Sequence, residues 1–426
     1  MNVADSQRVS SALQELGYLE TRLPGEADVI VLNTCVVRQS AENKAYGRLS
    51  SLKPLKQERP DLVINLMGCL VGVKPDPRLK VRFPYVDVFS APSDPLPLVE
   101  YLIQKNHHDL DQSVTARRFA LMDGEITLPG FDHSSQVCAY LPVVLGCSHA
   151  CTYCVIPYRR GIEESRPFDV VVAEAHSLVK VGVKEITLLG QIVDRYGKDL
   201  APGQDLPALL RELNKIDGLE RIRFLTSHPN WMTDELLETV AELPKVAPHI
   251  EVPVQAGDDQ VLENMKRGYT REDYRRLVNR IRERIPHVSI ATDIIVGFPG
   301  ETPEQFQQTY DLLEELRLDV AHLARYSPRP DTVATRRMPD DVTPEEKMRR
   351  FRVLEEQQER IVSEINQRYQ GKMVDVLFEE KSKKRWRGRT PTNKLVFVET
   401  ESDLRGKMVP VKIEWTGPWS MIGVLV

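Results

Sequence analysis

Six apolar runs of strand length, separated by amphipathic stretches, fill residues 141–326 and constrain the fold more than any other feature. They are LPVVLG (141–146), EITLLG (185–190), RIRFLTS (221–227), HIEVPVQ (249–255), SIATDIIVGF (289–298) and DVAHLARY (319–326). The intervening VVVAEAHSLVKVG and EQFQQTYDLLEELR place apolar residues at helical period. Apolar strands that alternate with helices form parallel sheets covered by those helices. Six such units predict a partial (β/α)6 barrel, built by the logic of the eight-fold version. Active sites in such barrels collect at the ends of the strands. The segments found there are polar or glycine-rich: Gln191, His228-Pro229, Gln255 and Gly297-Phe298-Pro299-Gly300-Glu301.

The first strand runs into Gly146-Cys147-Ser148-His149-Ala150-Cys151-Thr152-Tyr153-Cys154, a C-x3-C-x2-C spacing. Thiolates are soft ligands suited to iron–sulfur clusters or zinc. Zinc closes its shell with four ligands, usually as two cysteine pairs. His149 could be recruited, but no second pair follows. Three cysteines without a fourth favour a cluster with one open coordination site.

On either side the pattern changes. Residues 1–104 alternate helices (Val9 to Tyr18, Ala41 to Leu55) with apolar strands (Ala27 to Thr34, Leu62 to Gly68). Cys35 and Cys69 follow those strands directly, where a parallel sheet gathers ligand groups. Taken alone, an apolar-flanked cysteine is most often a small core residue. Residues 105–135 read as a polar linker, and Pro344 to Asn366 as a charged helix closing the barrel. Residues 366–426 alternate at period two in short runs, as in a small antiparallel barrel of the OB type. This last segment holds 12 Lys+Arg against 7 Asp+Glu, in a chain of net charge −5, and three of the four tryptophans: Trp386, Trp415 and Trp419. Basic charge among aromatics is a nucleic-acid-binding composition, though a solvated basic face would read the same. The balance of 41% hydrophobic and 28% charged residues excludes disordered and fibrous classes. No signal peptide or membrane-spanning run is visible, and six cysteines in 426 residues make no disulfide framework. A cytoplasmic protein is expected.

Over nearly its full length the chain resembles the radical S-adenosylmethionine (SAM) methylthiotransferases. The matching phrases are Asn33-Thr34-Cys35, Met67-Gly68-Cys69, Gly146-Cys147 through Gly161, Ser165-Arg166-Pro167, Leu189-Gly190-Gln191, Ser227-His228-Pro229, Pro253-Val254-Gln255, Asp293 through Thr302, Tyr326 through Pro330 and Gly388-Arg389-Thr390. Two positions depart from the pattern: Asp331 replaces a glycine, and Ile192-Val193-Asp194 replaces N-V-N. The resemblance implies a flavodoxin-like N-terminal domain (1–104), a radical-SAM barrel (133–365) and an RNA-binding TRAM domain (366–426). It implies a 4Fe-4S cluster on Cys147, Cys151 and Cys154 that chelates SAM, with Tyr153 and Gln191 as SAM contacts. It implies a second 4Fe-4S cluster on Cys35, Cys69 and a third cysteine two residues before the Met-Asn phrase. This chain opens at Met1 of that phrase, so the third ligand and the sheet's first strand are expected to be missing. Either the true start lies upstream, or the copy is truncated or degenerate. Cys138 could substitute, or be a buried structural cysteine.

Three branches of the family compete: two modify a tRNA adenosine at position 37, bearing isopentenyl or threonylcarbamoyl, and one modifies a ribosomal-protein aspartate. Met1-Asn2-Val3-Ala4-Asp5-Ser6-Gln7-Arg8, Cys35-Val36-Val37-Arg38 and the Ser-His-Pro phrase lean to the isopentenyl branch. The implied partners are tRNA and an electron donor such as flavodoxin or ferredoxin, with a monomer and no membrane. An RNA-binding protein with a vestigial barrel is the non-enzyme alternative. The complete cysteine spacing and the complete G-F-P-G-E phrase argue against it.

Overall fold

The computed structural model describes residues 1–105 and 136–426; the expected linker from residue 106 on lies outside them. The chain divides into two compact units. The first combines the N-terminal residues with Leu145–Glu164, which carries the C-x3-C-x2-C motif, and with Ser327–Thr332. The second holds the barrel strands, the helix Pro344–Gln367 and the C-terminal barrel.

In the first unit, strands β1 (Val29–Thr34), β2 (Val63–Gly68) and β3 (Val88–Ser90) form a parallel sheet in that order. β2 is central and buried along its whole length. Its alternate residues feed two cores, Ile64 and Leu66 with Leu49 and Leu52, and Val63 and Met67 with Val9, Val88 and Leu98. A strand buried on both faces has to read as a continuous apolar run, which is why it is visible in the sequence. Strand β3, three residues long, has too few residues to show a period. The side chain of Arg329 ties the segment Ser327–Thr332 to the helix Gln39–Glu58, through Gln39 Oε1 at 2.8 Å and through Glu42.

The barrel strands begin with β4 (Cys138–Pro142) and β5 (Val144–Leu145). The first strand therefore opens three residues before the apolar run suggests, and Cys138 lies inside it, paired with Glu185. β5 and β6 (Glu164–Ser165) bracket the cysteine segment in the chain. Then follow β7 (Glu185–Leu189), β8 (Arg221–Phe224), β9 (His249–Glu251), β10 (Ser289–Val296) and β11 (Val320–Arg325). They form two parallel three-stranded sheets, β4-β7-β8 and β9-β10-β11. Backbone bonds from Ile222 N to Lys245 O (2.7 Å) and from Ala247 N to Ile222 O (2.9 Å) join them into one curved wall. The six-unit partial barrel is thus formed.

Local signals set the helix starts. Thr302 and Gln305 make a capping box with Pro303 in the first turn, and Thr270 and Asp273 make another. The helix Pro344–Gln367 buries Arg350, which donates to Glu301 Oε2 at 2.7 Å. Glu301 Oε2 also accepts from Gly297 N at 2.6 Å. The Gly-Phe-Pro-Gly-Glu phrase is therefore a junction between strand and helix. Gly297 has φ +69°, and a Cβ there would stand 2.3 Å from Lys347 Cγ, so any side chain at this position strains the backbone and displaces Lys347.

The C-terminal strands are β12 (Met373–Ser382), β13 (Arg385–Arg389), β14 (Leu395–Glu399), β15 (Met408–Thr416) and β16 (Met421–Leu425), closed as β12-β13-β14-β16-β15. The barrel is not wholly antiparallel, since β14 and β16 run parallel. β13, Arg-Trp-Arg-Gly-Arg, goes unseen in the sequence because arginines and a glycine occupy its positions around one inward tryptophan. Among the described residues no helix is long and apolar enough to cross a membrane.

Candidate iron–sulfur and radical site

In the first unit, β1 and β2 pair with Asn33 opposite Met67 and Thr34 opposite Gly68. Parallel register therefore delivers Cys35 and Cys69 from neighbouring strands at the same level. Thr34 locks the exit: its carbonyl accepts from Cys69 N at 3.0 Å, and its hydroxyl donates to Met67 O at 2.7 Å and accepts from Leu70 N at 3.2 Å. Gly68 has φ +93°, and a Cβ there would lie 2.5 Å from Asn33 Oδ1. Cys69 is buried and Cys35 half-buried, and neither is in a disulfide. Burial pushes the Cys69 thiol up, the Arg160 guanidinium opposes this, and Cys35 adds to it.

The second cysteine group starts at Gly146, whose φ is +63° and whose absent Cβ would stand 1.9 Å from Ile162 O. The loop is pinned by bonds from Cys147 N to Gly161 O (3.1 Å), from Glu163 N to Ser148 Oγ (3.0 Å) and from Cys154 N to Cys151 O (3.1 Å). Val155 then packs among Val36, Cys69, Leu70 and Val71. The short helix Ile156–Arg160 follows. Its last carbonyl but one, of Arg159, accepts from Val73 N at 3.0 Å. Cys147 is buried, Cys151 and Cys154 are half-buried, and none of the three is in a disulfide. Three soft donors on one pinned loop fit an iron–sulfur cluster in their chemistry. Among the described residues no three His, Cys, Asp or Glu side chains stand in metal-holding geometry, so this fit rests on the donor set. All five candidate ligands lie in the first unit, whereas Cys138 lies in the second. Burial and Glu185 push the Cys138 thiol far up, so it stays neutral and is a poor substitute ligand. Of the two expected SAM contacts, Tyr153 belongs to the first unit and Gln191, directly after β7, to the second.

The barrel wall carries a carboxylate, Glu251, that the sequence analysis does not single out. Glu251 closes β9, and burial with the neighbouring Asp293 pushes its carboxyl up to about 7, against a bond from Thr226. Thr226 and Gln255 hold left-handed backbone, φ +67° and +77°, where these strands end. Strain of this kind marks sites held by their surroundings. The one signal in the sequence is a carboxylate in an otherwise apolar strand, His-Ile-Glu-Val. Because the folded pKa lies above the ordinary value of 4.5, the folded state holds the proton where the unfolded chain has released it. Stability should fall as pH rises through that window, by at most about 3 kcal/mol. Glu251→Gln should flatten the denaturation midpoint between about pH 5 and about pH 8. A profile identical to that of the parent would refute the assignment.

The basic tail is less free than its composition suggests. Arg387 pairs with Glu379 and Glu380, Arg385 with Glu399, Arg389 with Glu379 and Lys381 with Glu401. Lys383 and Lys384 form the exposed tip between β12 and β13, and Trp415 and Trp419 are exposed.

Family models match three stretches: the radical SAM superfamily at residues 141–313, the family described as UPF0004 at 1–91, and the TRAM domain at 367–426. Three relatives carry the name tRNA-2-methylthio-N(6)-dimethylallyladenosine synthase and align with the whole of this chain. Those of Roseiflexus sp. and Chloroflexus aurantiacus are each 46% identical, covered over 87% and 89% of their own length. That of Acetivibrio thermocellus is 43% identical, covered over 89%. The chain belongs to the radical-SAM methylthiotransferase family. It is a radical-SAM enzyme, and its cofactors are a 4Fe-4S cluster and SAM. Among solved structures, a radical SAM methyltransferase from Kitasatospora setae is similar at a TM-score of 0.49 and 16% identity, over 74% of this chain and 64% of that one.

Proposed function

We propose that this methylthiotransferase places a methylthio group on carbon 2 of N6-isopentenyladenosine at position 37 of tRNA. Relatives bearing that activity in their names, 46% identical along the entire chain, carry the reading. A ring carbon of adenosine is neither acidic nor electrophilic enough for side-chain acid–base chemistry. The cluster and SAM, when bound, supply the radical chemistry that such a carbon needs.

The chain's own residues supply the rest. Cys147, Cys151 and Cys154 hold the SAM-binding cluster, and Tyr153 and Gln191 contact SAM. Cys35 and Cys69 would supply two of the thiolates for a second cluster, the source of the sulfur to be transferred. The barrel keeps water from the reacting groups and orients them, which lowers the barrier by fixing their approach. The C-terminal barrel binds the tRNA backbone. A small flavoprotein or ferredoxin gives the electron, and the protein works as a cytoplasmic monomer.

The test is mass spectrometry of tRNA nucleosides from a strain lacking its own enzyme and carrying this one. Appearance of 2-methylthio-N6-isopentenyladenosine is expected. Its absence, with a methylthiolated threonylcarbamoyladenosine or ribosomal protein in its place, would move the enzyme to another branch.

Charge pairing sharpens the tRNA surface. Lys383→Ala with Lys384→Ala should weaken tRNA binding and lower its salt slope by up to about 0.9 for each phosphate no longer neutralised. Arg385→Ala with Arg387→Ala should do less, since those cations already face glutamates. Filter binding across a salt series reads both, and the reverse ranking would place the RNA on the β13 face.

A further inference from the structure

The Ser227-His228-Pro229 phrase and Trp231, the one tryptophan outside the C-terminal segment, enter no step proposed above. Both lie just past the end of β8, and Arg195 lies just past the end of β7. Hydrogen bonds tie these two turns together. Val193 N donates to Thr226 O at 2.9 Å. His228 N donates to the Asp194 carboxylate, at 3.1 Å to Oδ1 and 3.0 Å to Oδ2. A third segment joins them, since Asn230 Nδ2 donates to Gly268 O at 3.1 Å. Side chains on this frame form a stepped stack. Tyr269 and His228 are its buried base, edge to face with ring centroids 5.5 Å apart. Tyr269 is fixed from behind: its Oη donates to Val254 O at 2.8 Å and accepts from Arg267 Nε at 2.9 Å. Trp231 comes next, half-buried, with its ring 4.5 Å from that of His228. Arg195, also half-buried, ends the stack with Cζ 4.2 Å from the centroid of the Trp231 ring.

The stack thus holds a cation at the carboxyl ends of two parallel strands, the edge where such folds bind their ligands. The ring quadrupole keeps the guanidinium in place. A guanidinium is planar, charged and weakly hydrated, so the side turned away from the ring can take a nucleobase by stacking. An adenosine that reacts at a ring carbon has to leave the stack of its own loop. Its neighbours then lose a stacking partner, which the protein can replace. We propose that Arg195, braced on Trp231, is the stacking surface for an unpaired base next to the modified adenosine of the RNA loop. This rests on the reading of tRNA as the substrate. Base–aromatic and base–guanidinium stacking tolerate every base, since each has a π-face. The contact therefore serves an enzyme that meets one modified position in loops of differing sequence. A lysine at position 195 would keep the charge and lose the plane.

The test is direct binding, without turnover. The anaerobically reconstituted full chain is titrated, by fluorescence anisotropy, into a labelled RNA stem-loop carrying N6-isopentenyladenosine in its loop. Two further stem-loops lack the base on the 5′ or on the 3′ side of that adenosine. Parent, Arg195→Lys and Trp231→Leu are compared, with circular dichroism as the control for folding. On the intact loop each variant should bind at least about fivefold more weakly. On one of the two abasic loops the parent should lose a similar factor, and the variants should then differ from it by less than about twofold, because the partner base is already gone. Equal affinity of Arg195→Lys and the parent for the intact loop would overturn the proposal, since the contact would then be charge alone. Losses that persist in full on both abasic loops would overturn it as well. A parent chain with no affinity for the intact stem-loop would instead sink the tRNA reading, and the proposal with it.

Discussion

Replacing Cys147, Cys151 and Cys154 together with alanine should abolish SAM cleavage and remove the visible absorbance of one reconstituted cluster. The effect is total because reductive cleavage of SAM needs a low-potential one-electron donor, which cofactors supply and amino-acid side chains do not. The fold should survive. Cys151 and Cys154 are only half-buried, and the loop is held by its backbone bonds and by Gly146 and Val155 rather than by the thiols. Anaerobic assays for 5′-deoxyadenosine, with circular dichroism as control, decide the matter. Continued SAM cleavage by a folded variant would refute the assignment of these cysteines.

The second large effect concerns stability. Glu185, 4% exposed, accepts from Arg223 Nε at 3.0 Å and from Arg221 Nη1 at 3.2 Å. Both arginines are buried on β8. The two guanidinium groups also reach backbone carbonyls of the C-terminal barrel: Arg221 Nη1, the same nitrogen, to Arg389 O (3.0 Å), Arg223 Nη2 to Thr390 O (2.7 Å) and Arg223 Nη1 to Pro391 O (2.8 Å). Glu185→Ala leaves two buried cations against carbonyl oxygens alone. Breaking a buried pair on one side costs about 3–5 kcal/mol, far more than a surface pair. The denaturant midpoint, followed by fluorescence of the buried Trp386, should drop accordingly. A decrease below about 1 kcal/mol would mean that water or the carbonyls already compensate the arginines.

Much of this molecule is legible in its sequence. Parallel strands buried on both faces have to be largely apolar, so β2 of the N-terminal sheet and β7 and β10 of the barrel announce themselves. Cysteine spacing marks thiolate chemistry because the ligands sit within one loop. The cysteines at the ends of β1 and β2 are visible for a similar reason: parallel register turns equal positions on two strands into neighbours. Elements without such a period escape. β3 is too short, and β13 carries its one core residue among arginines.

Period and short spacing are properties of residue order, and the features that depend on them can be read from the chain alone: the strand–helix alternation, the caps, the glycine turns and the candidate ligands. Which charges meet is a matter of the folded molecule. Arg160 finds Asp5 across 155 residues, and Arg223 finds Thr390 across 167. Arg385 and Arg387, which look free in the sequence, face glutamates, while burial and Asp293 let Glu251 hold its proton up to about pH 7. The physical reason is that charge interactions and desolvation depend on distance in space and on exclusion of water. Neither quantity is written in the order of the residues.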